Sequence, residues 1–212
     1  FLVKDLVENV SHPERLVGLH YFFHPAKNRL VEVIGHEGTS QEAYNATWAS
    51  QEAIGKTPIY SADAPGFVVN RYFVPWVNEG VRLLGEGEAN IATIEWAAKK
   101  AFQVGMGPFE LMNITGVPIS LHAATSLGDQ LGNFYYPGQA LVDFCNDKNE
   151  DWNLKGEVDE SKYDIISERL LGVTFYVAAQ LVEENIASVA ETDIGARVGL
   201  RWPKGPFELM NH

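Results

Sequence analysis

Apolar positions along the first 65 residues change their period several times. Residues 2–10 carry the spacing of an amphipathic helix, which His12-Pro13 brings to an end. Residues 15–23 form an apolar, aromatic run suited to a buried parallel strand, and residues 30–34 form a second short strand closed by Gly35. Thr39 and Glu42 stand at the spacing of a capping box, each side chain satisfying an otherwise unpaired backbone donor, and open a helix that runs to about Gly55. Residues 56–62 then read as a third strand, stopped by Pro65-Gly66. Helix and strand alternate as they do at the tail of an α/β domain. From Phe67 the pattern turns to long helical periods at about 68–84, 91–102, 108–114, 117–131 and 137–147, resuming at 162–185 and 189–199. A polar stretch over 146–161, with Asp147, Lys148, Asp151, Lys155 and Asp159, reads as a linker.

The helical half repeats itself. Gly107-Pro108-Phe109-Glu110-Leu111-Met112-Asn113 recurs unchanged as Gly205-Pro206-Phe207-Glu208-Leu209-Met210-Asn211, a period of 98 residues. Sliding back without a gap pairs Glu95 with Asp193, Ile91 with Val189, Glu86 with Glu184 and Arg71 with Arg169. An identity of this length marks a duplicated unit, and its period is too long for a solenoid. In both copies proline follows glycine just inside a helix start, where its missing N–H costs nothing. The second copy stops at His212 while the first continues into further helices, so the second reads as truncated.

Composition narrows the class. With 46% hydrophobic and 21% charged residues the chain is an ordinary globular one, long enough for one large or two smaller domains. A net charge of -12 argues against nucleic acid, and no metal-ligand spacing joins the scattered His, Asp and Glu. The longest apolar stretch, over 172–182, is shorter than a bilayer-crossing helix, and no secretory signal opens the chain. Cys145 is the single cysteine, which excludes an internal disulfide and fits a reducing cytoplasm.

Three segments carry a resemblance. Gly18-Leu19-His20-Tyr21-Phe22-Phe23-His24-Pro25, then Leu30-Val31-Glu32-Val33-Ile34, then Asp63-Ala64-Pro65-Gly66-Phe67-Val68-Val69-Asn70-Arg71 together resemble the 3-hydroxyacyl-CoA dehydrogenase family, and the Met106-Gly107-Pro108-Phe109-Glu110-Leu111 stretch matches its helical domain. The resemblance implies a Rossmann-type α/β remnant at 1–65, a first helical C-terminal repeat at 66–150, and a linker with a truncated second helical repeat at 151–212. It implies an enzyme that oxidises 3-hydroxyacyl-CoA to 3-ketoacyl-CoA with NAD in fatty acid metabolism. Single-copy relatives dimerise through the helical domain, so the duplication implies a homodimer or a pseudo-dimer within the chain, and also a fused enoyl-CoA hydratase unit.

The resemblance assigns roles to three residues. His20, at the carboxyl end of a predicted strand, becomes the general base, a task suited to a side chain that titrates near neutral pH. Glu32, a costly carboxylate inside an apolar strand, becomes its partner and stabilises the imidazolium. Asn70 becomes a donor to the substrate's thioester or 3-oxygen. The residues alone also fit a histidine closing a strand, a carboxylate guarding a sheet edge and a helix-capping asparagine. Arg71 reads as a structural ion-pair donor. His24 departs from the family's Phe-Phe-Asn-Pro pattern and competes for the base role, while Lys155-Gly156 lacks the surroundings of a cofactor loop.

No Gly-x-Gly-x-x-Gly follows a strand; Gly85-Glu86-Gly87 and Gly105-Met106-Gly107 lie among helices and lack the third glycine. The resemblance implies that this fingerprint and the family's serine precede Phe1, so the chain alone is expected to show little dehydrogenase activity. The rival expectation is a non-catalytic acyl-CoA-binding or assembly module descended from such an enzyme.

Overall fold

The structure is a computed structural model that describes residues 1–147 and 150–211; Lys148 of the polar stretch and the terminal His212 lie outside the described residues. The chain divides into two compact units, Phe1–Asn70 with Ala178–His212, and Arg71–Val177.

The first unit is built on a three-stranded sheet in the order β1 (Val17–Tyr21), β2 (Leu30–Gly35), β3 (Thr57–Ala62). β2 and β3 run parallel and are joined across α1 (Gln41–Ala53). β1 runs antiparallel to β2 and is half-buried, which corrects the expectation of a buried parallel strand. The reason lies in the connection: residues 22–29 form a turn, too short for the crossover of about a dozen or more residues that a parallel pair needs. β2 is the central strand, and Leu30, Val31, Val33 and Ile34 are all buried.

Two other local expectations change. The apolar run at 2–10 forms a 3-10 helix, Val3–Asn9, and not an α-helix. It is too short to sustain α-helix nucleation alone, and the Asp63 carboxylate fixes its start by accepting from the N–H groups of Val3 (2.8 Å) and Lys4 (2.7 Å). The cap of α1 is Ser40, whose hydroxyl accepts from Ala43 N–H. Thr39 instead accepts from His36 N–H and donates to Leu16 O, so Thr39 and Glu42 form no capping box.

The second copy of the repeat contributes α8 (Val189–Ile194), a π-helical turn (Gly195–Gly199) and α9 (Pro206–Met210) to this unit, where one helix over 189–199 was expected. It covers the open edge of β3: Ala62 N–H donates to Ile186 O (2.9 Å) and Tyr60 N–H to Glu191 Oε1 (3.1 Å). An uncovered edge would be a template for pairing with other chains.

The second unit is helical. α2 (Val69–Gly85) leads into it, followed by α3 (Ile91–Phe102), α4 (Pro108–Thr115), α5 (Val117–Leu131), α6 (Gln139–Asp147) and most of α7 (Tyr163–Glu183). Its core includes Trp76, Leu83, Ile94, Phe102, Phe109, Met112, Leu141, Ile166 and Leu170. The polar stretch before α7 is more than a solvated linker. Asn113 brackets Trp152 by donating to its carbonyl (2.9 Å) and accepting its N–H (2.7 Å), and the buried indole stacks on Phe144 at 3.7 Å. The segment Glu160–Glu183 is, by length and composition, long and apolar enough to cross a bilayer, which corrects the expectation drawn from 172–182. Ile166, Leu170, Val173, Val177, Ala178 and Leu181 are buried at helical spacing, the pattern of a core helix.

The duplication is visible in backbone detail. Asn90 and Ser188 are equivalent N-caps, accepting from Thr93 and Glu191 N–H. Gln103 and Arg201 share a left-handed conformation (φ 55° and 59°), as do Gly87 and Asn185 (φ 73° and 57°). Glu95 accepts from Gly107 N–H (3.1 Å), Phe109 N–H (2.6 Å) and Glu110 N–H (3.2 Å) at the start of α4, and Asp193 from Phe207 N–H (2.8 Å) at the start of α9.

Candidate functional site

Strand register sets the first pair. His20 near the end of β1 lies directly opposite Glu32 in β2. Their side chains meet at 2.5 Å, His20 Nδ1 to Glu32 Oε2. A carboxylate can only accept, so this bond places the ring proton on Nδ1 and leaves Nε2 as the basic nitrogen. The Glu32 side chain is fully buried, while the His20 ring is 28% exposed. The other Glu32 oxygen accepts from Val68 N–H (3.2 Å) and Val69 N–H (2.8 Å), so the buried charge is satisfied on both oxygens. Because β2 is central, Glu32 does not guard a sheet edge.

The turn after β3 completes this arrangement. Gly66 (φ 78°) and Phe67 (φ 48°) are both left-handed, and Phe67 N–H donates to Ala64 O (2.9 Å). Such a backbone suits Gly66 but strains phenylalanine by about 1–2 kcal/mol. It lays the Phe67 ring 5.6 Å from His20 and turns the next two amides onto Glu32. Phe22 packs edge-on against the same imidazole, its centroid 4.7 Å from His20. The imidazole is therefore fixed by one hydrogen bond and two aromatic rings.

Asn70 follows Val69 directly at the start of α2 and is half-buried. It does not cap the helix, since it lies inside it. Arg71, 2% exposed, donates from Nε to the Tyr135 hydroxyl (3.1 Å) and lies 5.4 Å from that ring. His24 is exposed and accepts from Ala26 N–H through Nδ1 (3.2 Å). Glu32 bonds His20, not His24. Lys155 is exposed, its N–H bonded to Asn153. Burial pushes the Cys145 thiol up, away from the reactive thiolate. Among the described residues no group of three or more His, Cys, Asp or Glu could hold a metal ion.

Sequence reasoning missed the aromatic flanks and the two backbone donors to Glu32. The Pro65-Gly66 pair signals a turn, but nothing in the sequence announces a positive φ at Phe67. It also missed Asn28, buried in the loop between β1 and β2.

Residues 1–64 match the family profile described as 3-hydroxyacyl-CoA dehydrogenase, NAD binding domain, and residues 66–151 match 3-hydroxyacyl-CoA dehydrogenase, C-terminal domain. The fatty acid oxidation complex subunit alpha of Shewanella amazonensis is 33% identical over 239 residues, covering 99% of this chain and 34% of that protein. The chain thus spans about a third of the length of this curated relative. The 3-hydroxybutyryl-CoA dehydrogenase of Escherichia coli K12 superposes with a TM-score of 0.87 at 18% identity, over 97% of this chain and 65% of that one, a likeness of fold. The (S)-3-hydroxybutyryl-CoA dehydrogenase of Ralstonia eutropha gives a TM-score of 0.67 at 29% identity, over 69% of this chain and 52% of that one.

Proposed function

The chain belongs to the 3-hydroxyacyl-CoA dehydrogenase family, and from that membership we propose that it forms the base-bearing, substrate-side part of an enzyme oxidising 3-hydroxyacyl-CoA to 3-ketoacyl-CoA with NAD. The observation that carries this reading is the His20–Glu32 pair, a partly exposed imidazole whose Nδ1 is held at 2.5 Å by a buried carboxylate. Such an arrangement leaves Nε2 able to take the proton of the substrate's 3-hydroxyl. As the C3–H bond breaks and the carbonyl forms, Glu32 stabilises the charge that His20 acquires. Asn70 donates to the thioester or the 3-oxygen, countering the negative charge that grows there.

When bound, NAD supplies the acceptor for the hydride that leaves C3. Among the described residues no glycine fingerprint cradles its pyrophosphate, so no contact with the dinucleotide is assigned to this chain. The name of the Shewanella relative supports membership of a multienzyme complex of fatty acid oxidation. In that setting this chain works on an acyl-CoA substrate alongside a fused enoyl-CoA hydratase unit. The single, partly buried Cys145 fits a cytoplasmic setting.

The test is NADH formation from 3-hydroxybutyryl-CoA by the full-length protein, with and without His20→Ala. A loss of about 10²–10⁴-fold, the usual worth of a general base, is expected. An unchanged rate would move the base elsewhere. A full-length protein silent with short and long acyl chains would favour the binding-module reading.

A further inference from the structure

The geometry points to Asn28 as a positioning residue for His20, acting through the loop between β1 and β2 and anchored on the second copy of the repeat. This rests on the reading of His20 as the base.

Asn28 is 7% exposed and ties three backbone segments together. Its side-chain NH₂ donates to Gly199 O (2.8 Å) and to Phe23 O (3.4 Å), while its Oδ1 accepts from Leu30 N–H (3.1 Å). The start of the loop, its exit into β2 and the π-helical turn of the second copy thus meet on one amide. A second clamp reinforces it: Lys56 Nζ donates to Pro25 O and to Asn28 O, the latter at 2.7 Å. Phe23 directly follows Phe22, whose ring lies against His20. Where Asn28 holds the Phe23 carbonyl, it therefore sets where the Phe22 ring stands.

The other aromatic flank is anchored on the same copy. Phe67 follows β3, whose Ala62 N–H donates to Ile186 O and whose Tyr60 N–H donates to Glu191. Both segments that carry rings against His20 are fastened to residues 186–199.

Divergence between the copies supports a dedicated contact. The repeat places Ala101 of α3 opposite Gly199. In the first copy that position is ordinary α-helix, whereas in the second the helix widens into a π turn ending at Gly199. A Cβ at Gly199 would come within 2.5 Å of Leu30 Cδ2, so a larger residue here makes the buried Leu30 side chain shift, whereas glycine lets the backbone approach β2 and present its carbonyl to Asn28 without that cost. π turns of this kind recur at functional sites.

The experiment uses three variants: Asn28→Ala, the milder Asn28→Ser, which keeps a short neutral hydroxyl and loses the amide that reaches both carbonyls, and Gly199→Ala, which perturbs the contact from the other side. In this chain, ¹⁵N NMR of the His20 ring reads whether the proton stays on Nδ1. In the full-length protein, turnover separates kcat from KM. Folded variants are expected to show a mixed His20 tautomer signature and kcat lowered by about 10–100-fold with KM little changed, as for a misplaced catalytic group. A folded variant with wild-type His20 resonances and wild-type kcat would overturn the proposal, and the milder substitution decides if Asn28→Ala does not fold. His20→Ala, assayed in parallel, separates the two readings. If it leaves turnover intact the base assignment fails, while the NMR signature still decides whether Asn28 positions the ring.

Discussion

At the scale of the residue, Glu32 shows how a buried charge is made tolerable. It accepts two backbone N–H groups and the His20 ring, and no part of its side chain is exposed. Glu32→Ala leaves two buried donors without a partner, at about 1–3 kcal/mol each, so chemical denaturation should show a loss of at least about 2 kcal/mol. A loss within ~0.5 kcal/mol, the range of an ordinary surface substitution, would show that water or a local shift replaces the carboxylate. The sequence made Glu32 conspicuous because a lone charge in an apolar strand demands a partner. His20 and Asn70 became candidates only through the family motif. The flanking rings and Asn28 were hidden because they depend on a left-handed Phe67 and on a loop whose contacts lie far along the chain.

At the scale of the element, the two copies solve one problem in the same way: a buried carboxylate takes the exposed donors at the start of a Gly-Pro-Phe-Glu helix. The glycine in each copy is required by closeness. A Cβ at Gly107 would lie 2.6 Å from Glu95 Oε2, and one at Gly205 would lie 2.4 Å from the Asp193 Cα. A side chain can yield but a backbone atom cannot, so Gly205→Ala should destabilise more than Gly107→Ala, each by about 1–3 kcal/mol. Thermal melts of the two variants compare them, and the reverse order would contradict this packing.

Desolvation by burial raises the Glu95 and Asp193 carboxyls above their ordinary values, against the lowering effect of the amides. The folded chain then binds these protons more tightly than the unfolded one. Stability should therefore rise as pH falls through the raised values toward the ordinary ones, and fall as pH climbs back. Glu95→Gln should flatten its share of that slope in denaturation curves measured across mildly acidic pH, and an unaltered slope would show that Glu95 does not titrate there.

At the scale of the whole molecule, the repeat was the most legible feature, because a seven-residue identity needs no structure to be seen. The place of the second copy was not legible. Periodicity reports which face of an element is apolar, not which distant segment covers it, and the use of Ile186 and Glu191 on the edge of β3 has no local signal. The same limit misassigned β1: an apolar run fits a strand of either direction, and only the short connection settles it. A chain ending at Glu184 lacks the edge cover together with buried Ile186, Ala196 and Trp202. It should associate through the exposed β3 edge, seen as growth in light scattering. A monomeric, cooperatively folding product would deny the second copy this role.

The central claim is that His20 and Glu32 act as one unit in proton transfer. A double-mutant cycle on kcat/KM in the full-length protein, with His20→Ala, Glu32→Gln and both together, tests it most directly. If the two act as a unit, the double variant should be little worse than His20→Ala alone, because Glu32 has nothing left to orient. Losses that simply multiply, or a Glu32→Gln enzyme as active as the wild type, would contradict it.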